Sequence, residues 1–172
     1  DPTKFRIEHY EMPTGKLNRQ VAELGIWVVP QPNFLADDLV FSDRLGKRIR
    51  MLCPHRDIVN EGISMMLGSD GMPTSALFGI FMATHAPEES QRLNFAEALL
   101  AYTLASGKYE GKARGALKEG QQADIVVLDQ NGIDELRKVR VILEKDKKGN
   151  FVFLSVMDKK KGLKGMPHAL VF

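Results

Sequence analysis

Three apolar stretches each end at polar side chains. Phe5-Arg6-Ile7-Glu8 ends at His9, Ile26-Trp27-Val28-Val29 ends at Pro30-Gln31-Pro32-Asn33, and Ile63-Ser64-Met65-Met66-Leu67 ends at Gly68-Ser69-Asp70. The first alternates apolar with polar residues and the other two are apolar runs, as strands are. Strands joined by crossover helices run parallel and deliver their carboxyl ends to one face of a sheet or barrel. His9, Gln31, Asn33 and Asp70 would then converge. Neutral imidazole nitrogen and carboxylate oxygen are both ligands of divalent metals, zinc among them. A carboxylate so placed can also take a proton from an attacking water. Plainer roles fit the same residues: Ser and Asp after a strand are good helix caps, and a histidine at a strand end can simply be a satisfied polar group. Spacing by itself leaves both readings open.

The segments between these strands fit crossover helices. Leu17, Val21, Ala22 and Leu24 recur at helical spacing, and Gly25 is a good residue to stop that helix. Asn33 to Gly46 reads as an irregular loop. Lys47 to Asn60 reads as basic helical material interrupted at Pro54. After Pro73, Leu77 to Met82 is helix-like, and Asn94 to Ser106 forms an amphipathic helix expected to end at Gly107. Beyond Tyr109 the pattern turns to β. Ala123 to Asp129 reads as a strand, and Val139–Leu143 and Phe151–Val156 flank Lys147-Lys148-Gly149-Asn150, a hairpin signal.

Composition narrows the function classes. The chain has 172 residues, 44% hydrophobic and 27% charged, with a net charge of +2, an ordinary globular balance that argues for neither nucleic acid nor a membrane surface as partner. The single cysteine, Cys53, excludes an intrachain disulfide and points to a reducing, cytoplasmic setting. The sequence has no transmembrane-length apolar run and no signal peptide. It enters a strand-like segment almost at once from Asp1, as the middle of a longer protein would.

Five segments in order carry a resemblance: Arg-Ile-Glu-His at 6–9, Gln-Pro-Asn-Phe at 31–34, Gly-Ser-Asp-Gly-Met-Pro at 68–73, Glu97-Ala98-Leu99-Leu100-Ala101-Tyr102-Thr103, and Gly115 through Asp129. Over roughly residues 5–130 they resemble the C-terminal portion of a metal-dependent hydrolase of the amidohydrolase superfamily, in the amidohydrolase-3 branch that includes N-substituted formamide deformylases. The resemblance implies an α/β fold: strands 6 to 8 of a TIM (β/α)8 barrel with their helices over 1–108, then a β-rich segment of a composite β-sandwich over 109–172. It implies that His9 ends strand 6 and binds the metal. Asp70 would end strand 8, bind the metal and act as general base on the hydrolytic water. Gln31, Asn33 and His85 are the residues expected to face a small-molecule substrate.

Departures from the family pattern matter as much. The His-x-His pair of strand 1, the bridging Lys or Glu of strand 4 and the His of strand 5 have no counterpart, Asn33-Phe34 replaces a His common after strand 7, and Tyr10-Glu11 replaces Ala-Gln. Two metal ligands are fewer than the three a catalytic zinc normally takes. The expected activity, metal-dependent cleavage of a C–N bond in a small non-peptide substrate, is therefore expected to be weak or absent in this chain alone. Association with the missing N-terminal part, or homo-oligomerisation through open sheet edges, follows. The alternative is a non-catalytic partial-barrel module acting in binding or assembly. His55 reads as a helix-start residue, Cys53 as a small buried hydrophobe, and the lysine clusters at 145–148 and 158–161 as solvated turns.

Overall fold

Val28 lies wholly buried at the centre of a short parallel layer. The computed structural model describes residues 1–37, 43–72, 74–127, 139–145 and 151–158. β1 (Arg6–Glu8) pairs in parallel with β2 (Trp27–Val29), Ile7 opposite Val28. On the other side of β2, Val28 bridges Met65 in parallel. The Val28 amide donates to the Ser64 carbonyl (3.0 Å), the Met66 amide to Val28 (3.0 Å) and the Gly68 amide to Pro30 (3.1 Å). The three expected strand segments therefore run side by side and parallel, the third as a single bridge with flanking hydrogen bonds.

Between β1 and β2 runs α1 (Gly15–Leu24). Its N-cap is Thr14, whose hydroxyl accepts from the Leu17 amide. Gly25 ends it in the left-handed conformation at φ 63°, which glycine adopts without a Cβ penalty. The 46–60 segment breaks as its proline foretells: a 3-10 turn at Gly46–Met51, then α2 (His55–Asn60). α3 (Ala76–Thr84) is apolar all round and buried along Phe78 to Ala83, as a core helix should be.

The expected helix from 94 to 106 is instead two. α4 (Phe95–Tyr102) starts in a capping box between Asn94 and Glu97 and stops at Thr103 (φ −119°, ψ −84°), and α5 (Leu104–Glu110) continues past Gly107 to Gly111. The physical reason is tertiary. Leu67 of the third strand segment donates its amide to the Ala101 carbonyl (3.2 Å), which an unbroken helix would bond to its own next turn. Gly107 lies inside α5 because the chain returns against it: a Cβ there would meet the Arg114 carbonyl oxygen at 2.3 Å.

Two apolar clusters sandwich this arrangement. Tyr10, Val21, Val28, Ile58 and Ile63 form one, and Leu67, Ile80, Ala83, Leu93, Ala98 and Ala101 the other, with Met65 packing against both. Residues 123–127 differ from expectation. They form no strand, no strand among the described residues pairs with them, and Ile125, Val126 and Val127 are exposed; an extended run without a hydrogen-bonding neighbour is not a sheet strand. Leu128 and Asp129 lie outside the described residues. The chain divides into two compact units, Asp1–Val126 and Val127–Phe172. In the second, β3 (Val139–Lys145) and β4 (Phe151–Asp158) pair antiparallel with a register shift between Ile142 and Leu143, the hairpin expected there. Its lysine-rich connection, like the 159–161 lysines, falls outside the described residues. Among the described residues no helix is long and apolar enough to cross a membrane.

Candidate functional site

The strand ends converge. His9 follows β1, and its Nε2 lies 3.7 Å from Oδ2 of Asp70, which follows the third strand segment. On the other side of the ring, Nδ1 of His9 lies 3.6 Å from Oε1 of Glu11. The Phe34 ring, beyond the end of β2, packs 6.2 Å from the imidazole centroid. Both His9 and Asp70 are about half exposed, so the pair faces solvent rather than the core.

Backbone geometry marks the same place. Among the described residues, His9 (φ 67°), Tyr10 (φ 51°), Cys53 (φ 50°) and Asp70 (φ 51°) are the non-glycine residues with positive φ. Such conformations disfavour an L side chain and gather where surrounding structure over-determines them, at functional sites among other places. Each is tied down. The His9 amide donates to the Val29 carbonyl (3.1 Å), and the Cys53 amide donates to the Glu11 carbonyl (2.8 Å) while the Cys53 carbonyl accepts from His55 (2.7 Å). The Tyr10 hydroxyl donates to buried Asn18 (2.8 Å). Met72 closes the turn that carries Asp70 by donating to the Ser69 carbonyl (3.2 Å).

The 3.7 Å separation has chemical meaning. It is beyond hydrogen-bond range. Two ligands at zinc-like bond lengths and a tetrahedral angle lie about 3.4 Å apart, a little closer than His9 Nε2 and Asp70 Oδ2 stand. The donor set, one imidazole and one carboxylate, suits a borderline divalent metal. No group of three or more His, Cys, Asp or Glu side chains able to hold a metal occurs among the described residues.

Gln31 and Asn33, expected at the substrate face, are buried beneath the strand ends. The Gln31 carbonyl accepts from the Cys53 thiol (3.9 Å), its side-chain Oε1 has no hydrogen-bond partner among the described residues, and Asn33 Oδ1 accepts from the Tyr102 hydroxyl (3.4 Å). His85 ends α3, half-buried; Nδ1 lies 3.0 Å from the Phe81 carbonyl and 2.9 Å from the Thr84 hydroxyl, and its ring stacks on Phe81. The Cys53 thiol is buried, and burial together with the Glu11 carboxylate pushes its pKa up, so it is a packing group rather than a thiolate nucleophile. His55 is wholly buried with both ring nitrogens unpartnered among the described residues, and burial pushes its pKa down to about 4.

Glu11, Phe34 and Tyr102 were not singled out from the sequence as site residues. Glu11 had one legible sign, its place two residues after His9. Tyr102 reads only as an interior residue of an amphipathic helix, and its partner Gly68 is 34 residues away.

A parallel layer flanked by helices, with strand ends carrying an imidazole and a carboxylate, is an α/β arrangement, and the comparisons place it in a family. The family model Amidohydro_3, the amidohydrolase family, matches residues 1–141. The chain belongs to that family. It is 32% identical over 139 residues to the putative amidohydrolase YtcJ of Bacillus subtilis, covering 72% of this chain and 26% of that protein. It is 30% identical over 151 residues to the protein LONG AFTER FAR-RED 3 of Arabidopsis thaliana, covering 78% and 26%. The chain thus spans about a quarter of the length of these curated relatives. Among solved structures, an uncharacterized metal-dependent hydrolase from Pyrococcus furiosus superposes with a TM-score of 0.67 at 22% identity, over 74% of this chain and 28% of that one. The ochratoxinase of A. niger does so at 0.59 and 19%, over 77% and 32%. These likenesses establish the amidohydrolase-type fold of the matched region.

Proposed function

We propose that this chain carries strands 6 to 8 of a metal-dependent hydrolase barrel and, with them, part of the machinery for cleaving a C–N bond in a small non-peptide substrate. The observation that carries the reading is the approach of His9 Nε2 to Asp70 Oδ2 at 3.7 Å from the ends of two parallel strand segments. Support comes from family membership and from the backbone strain gathered at those two residues.

His9, through Nε2, and Asp70 would hold a divalent metal, zinc by preference. Bound there, the metal supplies Lewis acidity that makes water a better nucleophile at neutral pH and polarises a carbonyl. The rest belongs to this chain's own groups. Glu11, beside Nδ1, favours the tautomer with the proton on Nδ1, which leaves the Nε2 lone pair facing Asp70. The Asp70 carboxylate takes a proton from the attacking water as its oxygen bonds to the carbonyl carbon. It then returns that proton to the leaving nitrogen as the C–N bond breaks. Phe34 walls one side of the pair. His85, the accessible member of the expected substrate residues, would reach substrate from the loop after α3, while Gln31 and Asn33 act from beneath by holding the strand ends.

Two ligands call for more, so the reading expects the chain to work in association with the remaining strands of such a barrel, in a cytoplasmic setting. The test measures amine release from a panel of small amides and formamides with Zn2+ or Mn2+. The chain is assayed alone and co-expressed with the preceding three-quarters of a relative such as YtcJ. Turnover that depends on complementation and vanishes in Asp70→Asn supports the reading; turnover indifferent to Asp70→Asn contradicts it.

A further inference from the structure

Asp70 holds a conformation that glycine would prefer, φ 51°, on an exposed turn, and something must keep it there. The turn begins at Gly68, and the end of α4 grips that point twice. The Ala101 carbonyl accepts from the Leu67 amide at 3.2 Å. One residue on, the Tyr102 hydroxyl reaches the Gly68 carbonyl at 3.2 Å and Asn33 Oδ1 at 3.4 Å, sharing its single proton between them. The same hydroxyl therefore joins the strand that leads to Asp70 with the strand end that leads to Phe34.

The surroundings are shaped for that hydroxyl. Gly79, inside α3, is where a Cβ would come within 1.8 Å of the Tyr102 oxygen and 2.6 Å of Asn33 Oδ1. A glycine in a helix interior is less favourable than an alanine, so its presence there is explained by the ring it admits. The break of the helix at Thr103 completes the arrangement by freeing the Ala101 carbonyl from its own helix.

We propose that Tyr102 is the positioning residue for Asp70: its hydroxyl, admitted by Gly79, fixes the Gly68–Asp70 turn so that the carboxylate faces His9. The proposal rests on the reading of Asp70 as a metal ligand and base, and it is tested in a way that separates the two. Tyr102→Phe removes one oxygen and keeps the ring. Amide hydrogen exchange at Gly68 and Met72 is compared with that at Val28, whose hydrogen bond lies in the centre of the layer. Expected is exchange about tenfold faster at Gly68 and Met72 relative to Val28, as for a local opening. Alongside, Mn2+ affinity read from line broadening at His9 and Asp70 should fall by about tenfold or more, the range typical of groups supporting metal ligands. Thr14→Ala, which removes only the cap of α1, serves as the destabilised control and should change neither. Unaltered relative exchange in Tyr102→Phe, or an equal effect in Thr14→Ala, overturns the positioning role. If Mn2+ leaves His9 and Asp70 of the wild-type chain untouched, the metal reading fails by itself, and the exchange comparison still decides the role of Tyr102.

Discussion

Lowering the pH from 7 to 5 should destabilise this protein through one side chain, His55. Its imidazole is wholly buried, neither ring nitrogen has a partner among the described residues, and burial pushes its pKa down from 6.5 to about 4. The folded state therefore refuses a proton that the unfolded chain accepts near pH 6.5. With the folded pKa the lower of the two, the stability is intact above about 6.5 and drains away as the pH falls toward 4. Each unit of difference corresponds to about 1.4 kcal/mol, so roughly 2 kcal/mol is lost by pH 5 and about 3 kcal/mol by pH 4. Against a typical total of 5–15 kcal/mol that is a large fraction. Urea unfolding followed by circular dichroism at pH 7, 6 and 5 measures it, comparing wild type with His55→Leu. The variant replaces a buried, unpaired polar ring with an apolar side chain, which is near neutral at pH 7, and its midpoint should not fall between pH 7 and 5. A wild-type midpoint flat over that range, or a variant that keeps the wild-type slope, would refute the reasoning.

Other perturbations follow from the packing around the site. Arg56 grips Glu97 through both terminal nitrogens (2.8 and 2.6 Å) and the Arg92 carbonyl as well, while Glu97 also caps α4. Glu97→Gln should lower the unfolding free energy by about 1.5–3 kcal/mol, the range for hydrogen bonds to charged groups. The hydrogen bond from Arg56 holds the Glu97 carboxyl below its ordinary value. Its stabilisation is thus complete above about pH 4.5 and disappears on acidification through the folded pKa, a slope the Gln variant should lack in urea titrations. Gly107→Ala should destabilise by at least 1–3 kcal/mol, about the penalty for overpacking, because the new Cβ meets the Arg114 carbonyl oxygen at 2.3 Å. Thermal melts of Gly107→Ala beside Tyr102→Phe would rank a backbone clash against a single lost hydroxyl.

What could be read ahead of the structure is instructive in its limits. Gly25 announced the end of α1 because capping is local chemistry, written beside the terminus it closes. The three polar strand ends were legible for a similar reason: apolar runs and their stops carry a period that needs no partner. The break at Thr103 was invisible because its cause, the Leu67 amide, is more than 30 residues away in sequence. Gly107 looked like a terminator because glycine usually is one after an apolar run; its real constraint is the returning chain at Arg114. His55 read as an ordinary helix-start residue, since nothing in its neighbours reveals that the ring turns inward. The run 123–127 has strand composition, but composition does not supply the neighbouring strand that a sheet requires.

The pairing of His9 with Asp70 is the centre of the account, and a Zn2+ titration followed through the His9 imidazole signals by NMR tests it most directly. The account predicts that the His9 ring carbon and nitrogen signals shift or broaden on Zn2+ addition before those of His55 and His85, and that Asp70→Ala abolishes this early response without unfolding the chain. A His9 signal that ignores Zn2+, or that responds equally with Asp70 removed, would contradict it.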